Sequence, residues 1–73
     1  MKTYHTLELV RVILDHNDAH QFMGFRLAPS RDDWKVAEVL TISGVKEHPA
    51  NTVLLVDQSE IVERWPFQST ITI

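Results

Sequence analysis

A mainly β fold is expected: a small, five-stranded, antiparallel, barrel-like domain. Three observations predict it. Residues 67–73 alternate in polarity with a period of two, as a half-buried strand does. Val53-Leu54-Leu55-Val56 is a short aliphatic run, the length of a buried strand and far short of a membrane span. Turn-forming clusters interrupt the apolar segments at residues 15–18 and 46–51.

The elements follow in order. Residues 4–14 read as a long strand. Leu7 and Leu9 share one parity, and Val10, Val12 and Leu14 share the other. The phase change near Leu9-Val10 predicts a bulge or bend, or else a strand covered on both faces. Asp15-His16-Asn17-Asp18 is a turn, since Asn and Asp bond their own backbone and tolerate left-handed dihedrals. A second strand is expected at about 20–28, with Met23, Phe25 and Leu27 on one face and Gly24 marking a bulge or a close backbone approach. Residues 4–28 therefore read as a hairpin, ended by Pro29.

Residues 31–43 admit two readings. As a helix, Ser30 caps the start, Asp32 and Asp33 favour the first turn, and Gly44 follows the end. As a strand, Trp34, Val36, Leu40 and Ile42 share a face, with Glu38 the misfit. Val36, Val39, Thr41 and Ile42 are β-branched, which favours the strand. The helical alternative makes the fold α+β, with a helix at about 31–43 packed on a four-stranded antiparallel sheet. Residues 46–51 form a loop with Pro49 and Asn51 as turn residues, and residues 52–57 a buried strand. Ser59 is the expected cap of a short helical or 3₁₀ turn over 59–63, and the last strand follows Pro66 to Ile73. Five strands with one helical turn before the last resemble, in order alone, SH3-like barrels. Sm-like barrels are similar and carry a helix at the start.

Composition narrows the function. The chain has 73 residues, enough for one domain (1–73), and no cysteine, which excludes a disulfide framework or thiolate metal site. Neither a membrane span nor a secretory signal is seen, so a cytoplasmic protein is expected. A formal charge of −3, with seven basic residues scattered singly, disfavours broad nucleic-acid binding. No Gly-x-Ser-x-Gly turn surrounds a serine, and the two glycines are too few for a phosphate-cradling loop. No enzymatic activity and no cofactor are expected. Asp15-His16-Asn17-Asp18-Ala19-His20 is dense in potential metal ligands, but its turn context favours a solvated hairpin tip.

What remains is a binding protein. Trp and Arg are enriched at interface hot spots, and two clusters carry both: Arg31, Asp32, Asp33 and Trp34, and Arg64, Trp65 and Phe67 around Pro66. These are the candidate partner-binding residues. The expected function is a stand-alone, non-enzymatic module that docks on a larger protein as adaptor, inhibitor or regulatory subunit, of the kind found among bacterial or phage accessory proteins. The alternative is RNA or single-stranded nucleic acid binding, with aromatic side chains stacking bases. The uncharged terminal strand invites pairing with another chain, and so small a core makes homo-oligomerisation an expected remedy.

Overall fold

The computed structural model describes residues 1–28, 35–42 and 48–73. Five antiparallel strands form one sheet: β1 (Thr3–Ile13), β2 (Gln21–Leu27), β3 (Val36–Thr41), β4 (Val53–Asp57) and β5 (Ile61–Thr72), in the order β4-β3-β2-β1-β5. The sheet does not close. The expected mainly β, antiparallel class is therefore observed, while the barrel-like closure is not seen. Strand, not helix, is found over Val36–Thr41, and the α+β alternative falls there. The rest of the ambiguous stretch, including Trp34, lies outside the described residues.

Directly paired residues share a face of a sheet. Register therefore sorts the side chains. One face carries Val12 beside Phe22 and Ile61, Val10 beside Gly24, Val39 beside Leu54, and Ala37 beside Val56. Val10, Val12, Phe22, Ala37, Val39, Val56 and Ile61 are buried and form one cluster, against which the partly buried Leu14 and Leu54 pack. This is the core. Gly24 sits where it must: a Cβ there would press on Val39 and lie 2.8 Å from the Leu40 carbonyl oxygen. The close approach expected at Gly24 is thus met, with no room for any side chain.

The sharp bend of β1 comes earlier than the sequence suggests. Between the pairs made by Thr6 and Glu8 the register shifts against both neighbours. Over that step β2 advances by one residue (Leu27 to Arg26), β1 by two, and β5 by three (Ser69 to Pro66). The extra residue in β1 is Leu7, and the lengthening path from β2 to β5 coils the sheet at that point. Leu9 and Val10 belong to a regular stretch. Both are apolar because Val10 faces the core while Leu9 lies on the opposite face between Phe25 and Trp65.

Short 3₁₀ turns join the hairpins. Leu14–His16 and Asp18–His20 connect β1 to β2, with Asp15 and His16 at positive φ and Asn17 Oδ1 accepting from Ala19 N–H at 3.0 Å. The turn before β5 is Gln58–Glu60, not 59–63, and its cap is Asp57, not Ser59. Ser59 is instead a donor to the cap, and β5 starts at Ile61 and runs through Pro66. Glu60 completes a capping box. Its carboxylate is buried and accepts from two backbone amides, Asp57 N–H at 2.7 Å and Asp15 N–H at 2.6 Å. One side chain thereby ties the β1–β2 connection to the β4–β5 connection. Thr41 does a similar job at the opposite corner: its buried hydroxyl donates to Pro49 C=O and accepts from Thr52 N–H.

Two outcomes follow. Gly24→Ala should lower stability by about 1–3 kcal/mol through overpacking, read from the urea midpoint; an unchanged midpoint would mean β2 and β3 are not in this contact. Glu60→Ala should cost about 1–3 kcal/mol by stranding two amides; a loss within experimental error would show that water replaces the carboxylate freely.

Candidate functional site: the outer face of the sheet

The opposite face of the sheet is also apolar. One rung crosses all five strands in direct register: Val53, Leu40, Phe25, Leu9 and Trp65. Leu40 is buried, and Val53, Phe25 and Leu9 are half-buried. Exposure rises toward β5, where Trp65 and Phe67 keep 41% and 42% of their surface. Phe67 stacks on Phe25 with ring centroids 5.4 Å apart, so the exposed ring is held in place. Ile42 and Leu55 of the same face are also exposed. The apolar set read along β3 (Val36, Leu40, Ile42) belongs to this outer face; Ala37, Val39 and Thr41 face the core side.

The candidate residues of the second cluster divide between the two faces. Trp65 is paired with Leu9 and points outward, whereas Arg64 is paired with Val10 and points to the core side. There Arg64 Nη1 donates to Glu8 Oε1 at 2.9 Å and its Nη2 to Gln58 Oε1 at 2.6 Å. Arg26 donates to the same Glu8 oxygen from the other side. Glu8 thus binds two guanidinium groups and joins β1, β2 and β5 just beside the Leu7 bulge. Arg64 is occupied in closing this end of the core. The first cluster, Arg31, Asp32, Asp33 and Trp34, lies outside the described residues.

The charges of the outer face are also mated. Arg11 pairs with Glu63 across β1 and β5, and its Nε is buried without an acceptor. Arg11, Arg26 and Arg64 are therefore all held by glutamates. At the 3₁₀ turn, the Ser59 hydroxyl donates to Asp57 at 2.7 Å. That bond, the Ser59 amide and the nearby His16 and Lys35 hold the Asp57 carboxyl below its usual range, against a smaller opposing effect of burial. This is a cap's electrostatics, with no acid–base pair built on it.

Among the described residues, no group of three or more His, Asp or Glu side chains is placed to hold a metal ion. His16 and His20 sit on successive 3₁₀ turns, and His16 Nε2 lies 3.4 Å from Ser59 Oγ. A shallow groove of about 370 Å³ opens at the bulge, lined by His5, Thr6, Leu7, Gln68, Ser69 and Thr70. It contains no carboxylate or arginine. No helix among the described residues is long and apolar enough to cross a membrane. Comparison with family models, curated proteins and solved structures finds no match.

Glu8 and Glu60 are the functional-looking residues that the sequence did not single out. A capping box was legible in Asp57-Gln58-Ser59-Glu60, since its acid lies three residues after the cap. Glu8 had no local signal, because its two partners come from other strands.

Core and outer face should separate in mutagenesis. Trp65→Ala should cost about 1 kcal/mol or less, against about 3–5 kcal/mol for Phe22→Ala in the core. Equal losses in denaturant titrations would place Trp65 in the core instead.

Proposed function

We propose that this chain is a non-enzymatic protein-binding module whose docking surface is the β5 end of the outer face, centred on Trp65, Phe67, Phe25 and Leu9. The carrying observation is the half-exposed pair Trp65 and Phe67, fixed by strand pairing and by the Phe25 stack. Rigid aromatic side chains lose little entropy on binding and are the commonest hot spots. The fitting partner is a larger protein offering an apolar patch, and the module acts on it by occlusion, as adaptor, inhibitor or regulatory subunit. A cytoplasmic setting and an accessory role of bacterial or phage type belong to the same reading. So does an SH3-like or Sm-like order, which the succession of strands and the 3₁₀ turn before β5 support.

A nucleic-acid partner is the second reading, since the Phe25–Phe67 stack offers a surface for bases. Ion pairing weighs against it. Arg11, Arg26 and Arg64 already neutralise glutamates and are poorly placed to track phosphates.

The test is a pull-down from the source cell's lysate with and without nuclease, at two salt concentrations, using wild type, Trp65→Ala and Phe67→Ala. A stoichiometric protein that survives nuclease and salt, and is lost with either variant, is the expected result. Recovery of nucleic acid, or a partner retained equally by both variants, would contradict it.

A further inference from the structure

We propose that two copies of this chain associate through the free edges of β5, antiparallel and in register about Ser69, to form one continuous sheet. This does not rest on the docking surface above, because the pairing is carried by the backbone edge of the sheet, although Trp65 and Phe67 gain cross-strand neighbours from the second copy.

The direction of the backbone groups comes first. Ile73 exchanges both of its hydrogen bonds with Lys2, the residue just before β1, donating at 2.8 Å and accepting at 2.6 Å. In an antiparallel strand these groups alternate from one side to the other. Those of Thr72, Thr70 and Gln68 therefore point away from β1. A count from the far side of the sheet agrees. Ile42 N–H donates to Met23 C=O, so Met23 faces β3 and Gly24 faces β1. Its partner Val10 then faces β2, Leu9 faces β5, Trp65 faces β1, and Pro66 faces outward. Proline is tolerated in β5 because the N–H it lacks belongs to the free edge.

This edge is long, and no strand among the described residues pairs with it. β5 is the terminal strand of the sheet, and its residues from Val62 to Thr70 are exposed. End strands are normally guarded by charge, by brevity or by cover. From Trp65 to Ile73 there is no charged side chain, and Pro66 guards one end alone.

The segment is also self-complementary. A two-fold contact needs one surface to match itself. About Ser69 the polarity reads the same in both directions: Trp65 and Phe67 balance Ile73 and Ile71, and Pro66 and Gln68 balance Thr72 and Thr70. Antiparallel pairing about Ser69 sets Phe67 opposite Ile71 of the second copy and Trp65 opposite Ile73 of the second copy. It sets Gln68 opposite Thr70 of the second copy, both with outward backbone groups. About six backbone hydrogen bonds result. The nearest charges, Glu63 and Arg64, fall outside the paired segment, so no like charges meet.

Nine residues at about 3.4 Å each span about 30 Å, the full 29 Å length of the molecule. At a depth of about 10 Å this buries on the order of 300 Å² per copy, less than a standard interface. The association is accordingly weak and dependent on concentration.

Sedimentation equilibrium from about 1 μM to 1 mM reads it directly. The mass should rise from 8.4 kDa toward twice that value. Ser69→Lys sets two ammonium groups across the two-fold axis and should weaken dimerisation at least about tenfold, as should Ser69→Glu; a 1:1 mixture of the two should restore it. Thr70→Pro removes an outward N–H only, and should abolish the dimer while the dilute protein keeps its melting temperature within a few degrees. A wild type that stays at 8.4 kDa throughout would overturn the proposal. So would a Ser69→Lys variant that dimerises like wild type, or growth beyond a dimer, which would indicate pairing of β5 with β4 of the next copy.

Discussion

Leu9 and Val10 are adjacent, apolar, and on opposite faces of one sheet. A strand cannot turn both to the same side, so β1 needs cover in both directions. Val10 obtains it from the core cluster. Leu9 has Phe25 on one side and Trp65 on the other, in a rung that ends in half-exposed aromatic surface. A sheet of five strands with no helix among the described residues provides one interior, and it is spent on Val10, Val12 and Phe22. The apolar outer face follows from that shortage of cover.

The ends of the core are closed by carboxylates. Glu8 gathers Arg26 and Arg64 beside the Leu7 bulge, where the sheet coils and Thr6 is buried next to Leu27. Glu60 gathers the amides of Asp15 and Asp57 where the two connections meet. Each of these groups is satisfied by bonds from segments far apart in sequence. In a core this small, such links hold the hairpins together where apolar contacts are few. Glu8 also occupies Arg26 and Arg64, and the outer face keeps mainly aromatic and aliphatic chemistry.

Much of the strand layout was legible. The hairpin over residues 4–28, the close approach at Gly24 and the strand within 31–43 rest on local signals: turn residues, a lone glycine and β-branched side chains. The bend of β1 was legible in kind but not in place, because Leu9-Val10 mimics a bulge when both faces are apolar. Its true position, at Leu7, depends on register with β2 and β5, which local periodicity does not contain. For the same reason Arg64 and Trp65 read as one cluster, although neighbouring strand residues point to opposite faces. That alternation was available in the sequence and separates them. Which apolar parity of β3 faces the core is a tertiary question, settled by Gly24 leaving space for Val39.

The central claim is that the main core cluster lies on one face of the sheet, while on the other face the apolar residues around the buried Leu40 stay open to solvent. Methyl relaxation in the presence of a soluble paramagnetic probe tests it residue by residue. The account predicts little enhancement at Val10, Val12, Val39 and Val56, and strong enhancement at Ile42, Leu55 and Val62. Protection of Ile42 and Leu55 to the level of the core valines would contradict it, and would mean that the outer face is covered within the protein itself.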